Sequence, residues 1–295
     1  MLGLAMALLF TTTATSDDAA ERLYACGDDQ VREYRIEAPV TDGARAVETW
    51  RWNAAAAPDL PEDYRRRLLA HIDDCKPVDG GRAILVTAST GGVVLIERAT
   101  GKVRFRATAP MAHSASVLPN GRIAVALSLH ADGNRLELYD RISSETPLAT
   151  RPLPSGHGAV WDDARRQLFV LSHDLIQAYR IRGTRGAPSP IEAARWTLPG
   201  RRDGHDLSIR PDGRYLVTTD DGVWTFDPRN GSFIPFTALN PKLRVKSVDM
   251  GRHLAWVQAE ESWWAKGFTI ARADGSDPVR VPVDAMHLYK VRWVR

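Results

Sequence analysis

A pattern of forty-odd residues repeats along the 295 residues of this chain, and a period of that length belongs to propellers and solenoids. One part of the repeat is a short apolar strand, a small polar turn and a second strand: LYACGDDQVREYRI (23–36), ILVTASTGGVVLIER (84–98), IAVALSLHADGNRLELYD (123–140), LFVLSHDLIQAYRI (168–181) and LVTTDDGVWTFD (216–227). Their alternation and Gly/Asp turns predict β-hairpins. A second part stands ahead of most hairpins and predicts an inner strand ending in a turn. It reads HSASVLPNG from His113 and HDLSIRPDG from His205, with Gly eight residues after His in both, and HGAVWDDAR from His157. Blade 2 leads with Asp73 and closes its turn at Gly81; blade 6 keeps Lys246 five residues before Gly251, as Lys76 stands five before Gly81.

The last segment, HLYKVRWV (287–294), is an inner strand with no hairpin after it, whereas the first hairpin has no inner strand before it. Joining the two completes a blade and removes free sheet edges. The chain is therefore expected to be all-β, a six-bladed β-propeller over 21–295, with blade 1 closed by the C-terminal strand. A helical insertion is expected at 61–72, announced by Pro61 and lying on the surface between blades 1 and 2.

Composition supports an ordinary folded domain: 44% hydrophobic and 25% charged residues exclude disorder, and a net charge of +3 with scattered Lys and Arg offers no footprint for nucleic acid. The apolar run at 2–10 is too short for a membrane span and reads as the core of a signal peptide within 1–20, although no positive residues precede it. A secreted or periplasmic, monomeric protein is expected. Cys26 and Cys75 allow one disulfide or two buried thiols.

The runs ACGDDQVREYRI, DDCKPVDGG, AHSASVLPNGRIAVA, SGHGAVWD and GHDLSIRPDGRYLVTT resemble a family of secreted six-bladed propellers of uncharacterised function. The resemblance implies fold and export, and no reaction. Function has to be argued from the site.

Innermost propeller strands run along the central channel, so equivalent positions converge there. In blade order the leading residues are His287, Asp73, His113, His157, His205 and Leu243; three residues later stand Lys290, Lys76, Ser116, Val160, Ser208 and Lys246. On a flat strand residues three apart face opposite sides, so both sets reach the channel only if the strand is bulged. The expected site places His113, His157, His205, His287 and Tyr289 as proton carriers. Lys76, Lys246 and Lys290 would bind an anionic substrate, with Asp73 beside them. Each His could instead simply hold a neighbouring blade's backbone. His113, His157 and His205 would also suit a divalent metal with an open position. Trp263 and Trp264, in a blade 6 loop, could stack on sugar rings or merely pack between blades. Asp28, Asp29, Asp220 and Asp221 read as turn formers, with calcium ligation as the alternative. The chain contains no GxSxG, HExxH or P-loop pattern. Cations that neutralise a carboxylate, beside groups that move protons, suit β-elimination on an acidic, uronate-containing glycan. A propeller that only binds an anionic glycan or a protein is the alternative.

Overall fold

The computed structural model describes residues 20–37, 45–201 and 203–295; the expected signal segment lies outside them, Ala20 excepted. The described residues form six antiparallel sheets of four strands each. The inner strands are Leu288–Trp293 in blade 1, Ile72–Val78 in blade 2, Ala112–Leu118 in blade 3, Gly158–Asp162 in blade 4, Gly204–Ile209 in blade 5 and Val245–Met250 in blade 6. The second strands are apolar almost throughout, as in AILVTA (83–88) and RIAVAL (122–127), because each is covered on both faces by neighbouring blades. The core accordingly divides into six apolar clusters, each spanning two adjacent blades. One holds Leu23 and Trp293 of blade 1 against Phe268 and Ile270 of blade 6.

Blade 1 is closed by the two chain ends. Leu23 pairs with Trp293, Ala25 with Val291 and Cys26 with Lys290. Gly27 is required at this seam, since a Cβ there would lie 2.0 Å from the His287 carbonyl oxygen. Cys26 and Cys75 form a buried disulfide with Cα atoms 6.1 Å apart, tying blade 1 to the inner strand of blade 2. The helix expected at 61–72 shortens to a π-helical turn, Tyr64–Leu68, and Ile72 already begins the blade 2 strand, its N–H donating to the Asp28 carbonyl at 2.6 Å. Tyr64, Leu68 and Leu69 are buried against blades 1 and 2, so the turn is a wedge rather than a decoration.

Inner strands leave one backbone edge facing the axis, and buried N–H groups there need acceptors. Side chains of the preceding blade supply them. Ser114 Oγ accepts from Ala159 N, Ser116 Oγ from Trp161 N, Asp206 Oδ2 from Val248 N, Ser247 Oγ from Val291 N and Asp249 Oδ2 from Trp293 N, all at 2.9–3.3 Å.

A buried ionic plug fills the channel. Arg292 bridges opposite sides of the ring, donating to Asp74 at 2.8 and 3.1 Å and to Asp206 at 2.5 and 2.8 Å. Lys290 donates to Asp206 at 3.2 Å and to the carbonyls of His157 and His205 at 3.4 and 3.3 Å. Lys76 reaches Ser114 Oγ at 2.8 Å and the Ala159 carbonyl at 2.6 Å, with Asp74 at 3.6 Å. Burial alone would raise the Asp74 and Asp206 carboxyls, but Arg292 and the lysines hold both below the usual carboxylate range. No helix among the described residues is long and apolar enough to cross a membrane.

Candidate active site

A one-residue β-bulge recurs at the start of the inner strands, and it selects which side chain faces the pocket. The extra residue is Tyr289 in blade 1, Asp73 in blade 2, His113 in blade 3, His205 in blade 5 and Lys246 in blade 6. In blade 4, His157 stands just ahead of the strand, its N–H donating to the Leu171 carbonyl at 2.9 Å. A bulge re-aims its extra residue, so these six side chains form a ring at one mouth of the channel. They line a cavity of about 560 Å³, within the range of small-molecule sites. The residues just after them, including Asp74, Asp206 and Lys290, belong to the plug beneath.

This ring departs from the expected one in two blades. Leu243 was aligned as the leading residue of blade 6, yet Lys246 holds that place. The cause is where the strand ends and where the glycine falls: Val78 and Leu118, the last paired residues, stand five after Asp73 and His113 with glycine third in the turn, whereas Met250 stands four after Lys246 with Gly251 first in the turn. Counting back from the glycine therefore misplaces Lys246 by three residues. In blade 1 the ring position belongs to Tyr289. His287 lies at the rim, where Asp28 accepts from its backbone N–H at 2.9 Å and lies 3.0 Å from its Nδ1. Of the three lysines expected at this mouth, only Lys246 lines it. Lys290 is fully buried in the plug, and Lys76 faces the opposite mouth.

The imidazoles are packed edge to face, with centroids of His113 and His157 4.5 Å apart and those of His157 and His205 5.8 Å apart. Two residues ahead of His113 and His157, Met111 and Ser155 adopt the left-handed conformation that non-glycine residues avoid, with φ of 56° and 49°. Their carbonyls lie 3.0 and 2.9 Å from the following Nδ1 atoms. A carbonyl only accepts, so Nδ1 carries the hydrogen and Nε2 is left as an acceptor. Burial pushes the His113 imidazole down to about 4, and burial with the adjacent His113 holds His157 well below its ordinary value. Both rings are neutral near pH 7.

His205 is held differently. Its Nε2 lies 2.6 Å from Asp220 Oδ1 and 3.0 Å from Lys246 Nζ. Burial and then Lys246 lower it to about 4, while burial lowers the Lys246 amine to about 8. Lys246 Nζ also sits 4.9 Å from the centre of the Trp263 ring, a cation–π contact. Asp73 shows the opposite shift: burial raises it to about 7, although the backbone N–H of Ser89 donates to it. Burial and the Asp73 charge hold the Tyr289 phenol well above its usual range. In ring order Tyr289 lies between Lys246 and Asp73.

The metal expectation for His113, His157 and His205 fails on geometry. Among the described residues no three His, Cys, Asp or Glu side chains are grouped to hold an ion. His205 spends its Nε2 on Asp220, and the amine beside it would repel a cation.

Trp263 and Trp264 sit at the tip of a tight turn closed by backbone bonds between Glu261 and Trp264, with Ser262 at φ 46°. Trp263 is 58% exposed at the rim. Trp264 stacks on His71 at 6.3 Å and packs against His287 at 5.7 Å. The pocket also has polar residues outside the expected site, among them Asp28 and Asp220 as partners of His287 and His205, with Ser89 and Ser128 at the matching places in blades 2 and 3. They follow the second strand of their blades, whose end lies against the start of the inner strand. A signal existed in the spacing, since Ser128 and Asp220 each stand fifteen residues after His113 and His205.

These features define a six-bladed propeller with a polar axial pocket at one mouth and an ionic plug beneath it. The chain belongs to the family described as "Family of unknown function (DUF6528)", whose model matches residues 20–295. Two solved structures share the fold. One is a protein of unknown function from Bacteroides caccae, 12% identical, with a TM-score of 0.61, covering 94% of this chain and 100% of its own. The other, from Bacteroides uniformis, is described as "a putative 6-phosphogluconolactonase"; it is 10% identical with the same TM-score and coverage. No curated protein matches the chain.

Proposed function

We propose that the pocket is the active site of an exported enzyme that moves protons on a small carbohydrate. The observation that supports this best is the placement of Asp73 and Lys246, shifted to about 7 and about 8, on either side of Tyr289. Groups that titrate near the working pH are the efficient acids and bases. The aromatic rim at Trp263 and Trp264 and the Nε2 acceptors of His113 and His157 suit the faces and hydroxyls of a sugar. The disulfide between Cys26 and Cys75 fits an oxidising compartment.

The reaction that uses these groups most fully is β-elimination from a uronate unit. The Lys246 ammonium would face the substrate carboxylate and acidify its α-proton. Ionised Asp73 would take that proton; the electron pair forms the new C=C bond as the C–O bond to the leaving group breaks. Tyr289, neutral at any ordinary pH, would protonate the departing oxygen. With Lys76 and Lys290 withdrawn, one cation remains at the mouth, so the substrate carries one carboxylate at the reacting unit rather than a densely anionic surface.

A second reading, hydrolysis, is favoured by the presence of Asp73 and Asp220 in one pocket. Glycosidases use two such carboxylates, and one structural neighbour's description names a lactonase. Digesting uronate oligosaccharides, neutral oligosaccharides and sugar lactones separates the readings. Ultraviolet absorbance of an unsaturated product supports elimination. Reducing ends or acid release without absorbance would replace it with hydrolysis, and tight binding without turnover would leave a binding protein.

A further inference from the structure

The opposite mouth of the channel has a cavity of its own, about 120 Å³, that shares no lining residue with the larger pocket. Lys76, Arg292 and Arg295 line it against a single carboxylate, Asp249. Asp249 is already matched by Arg295, which donates to it. The plug above holds three cations, Lys76, Lys290 and Arg292, facing two carboxylates, Asp74 and Asp206. Each cation has a carboxylate within reach, but the two carboxylates leave one positive charge in excess beside this cavity, and excess charge out of water is costly.

Hydrogen-bond capacity points the same way. An ammonium has three N–H groups, and those of Lys76 have two close acceptors, Ser114 Oγ and the Ala159 carbonyl. Trp293, 2% exposed, also lines the cavity, and its indole N–H has no partner. An indole N–H can only donate, so the missing partner is an acceptor. Burial lowers the Lys76 amine to about 8, so its charged form would gain from a nearby anion.

We propose that the smaller mouth binds one small oxyanion, a phosphate or a carboxylate group, between Lys76 and the indole of Trp293. The cavity has room for an ion and little more, which excludes a polymer. The oxyanion would complete the charge balance of the plug and so couple ligand binding to the stability of all six blades.

Equilibrium dialysis and thermal unfolding with sodium phosphate and with sodium acetate, against sodium chloride at equal ionic strength, test the proposal on the full chain. Saturable binding of about one phosphate or one acetate per chain is expected, with a melting temperature that rises to a plateau. Which of the two binds tells phosphate from carboxylate. Lys76→Met should weaken binding at least tenfold, and Trp293→Phe should weaken it by a smaller factor. Salts of this kind also stabilise proteins by exclusion from the surface, and that effect would persist in Lys76→Met. The proposal is overturned if neither anion binds better than chloride, or if binding survives in Lys76→Met. Should Lys76→Met fail to fold, Arg295→Ala, whose side chain is 43% exposed, carries the same test with an expected severalfold loss.

Discussion

The pocket and the plug beneath it are built from the same strands a few residues apart, and they use the same kinds of side chain in opposite ways. Lys246 and Lys290 show the contrast. Both are almost fully buried, on neighbouring inner strands. Lys290, one position past its bulge, meets a carboxylate and two carbonyls and is spent on structure. Lys246, at its bulge, meets an imidazole nitrogen and a tryptophan face, and its proton is loosely held. Asp73 and Asp74 differ likewise: the first is pushed up to about 7 by burial, and the second is held ionised by Arg292. A charge surrounded by counter-charges holds blades together, whereas a charge left short of partners is available for chemistry.

The sharpest way to break this contrast is to open the plug. Asp206→Ala removes the partner of both Arg292 and Lys290 and should cost about 3–5 kcal/mol, read from urea unfolding. A loss below about 1 kcal/mol would mean that the axial charges are not what closes the ring.

Substitutions at the pocket should do the reverse. Lys246→Ala and Asp73→Asn are expected to cut turnover at least about 10²-fold without lowering stability at pH 7, because each removes a charge that burial disfavours. If both instead unfold the protein and spare turnover per folded molecule, the ring is structural.

The pH dependence sharpens the comparison further. The Asp73 carboxyl is raised in the folded state, so its contribution to stability is complete below about pH 4 and is lost as pH rises through about 7. Unfolding free energy measured from pH 4 to 8 should therefore decline more steeply in the parent than in Asp73→Asn. The lysines shift oppositely. With Lys76 and Lys246 lowered to about 8, stability is gained as pH rises from about 8 toward their unfolded value near 10.5. Turnover needs Asp73 ionised and Lys246 protonated and should peak between about pH 7 and 8. A flat profile across that range would remove both from the reaction.

A small stability effect is expected at His157, whose ring is held by the carbonyl of Ser155 two residues away. His157→Ala should cost about 1 kcal/mol while weakening substrate binding. A loss above about 3 kcal/mol with KM unchanged would make it a structural residue.

Much of the site was legible where the repeat kept its spacing. Asp73, His113 and His205 align because a glycine follows each by eight residues, at Gly81, Gly121 and Gly213, and His157 aligns with them by its place ahead of the same strand pattern. Where the glycine comes only five residues on, as Gly251 does after Lys246, or no glycine follows, as after Tyr289, the spacing points to the wrong residue in blades 6 and 1. Asp28 and Asp220 were hidden by their own chemistry. Asp belongs in turns for local reasons, and nothing in the turn itself tells that an imidazole from a distant strand will lie against it.

What the chain's own residues determined was the repeat, six blades, and closure by both ends, because strand periodicity and turn chemistry are local and recur. Which side chains face the cavity was decided only in the folded ring. One bulged residue turns a side chain from the plug to the pocket, and the partners of Arg292, at Asp74 and Asp206, lie 218 and 86 residues away. Charge pairing across the axis depends on depth and radius about that axis, and those coordinates exist only once the ring has closed.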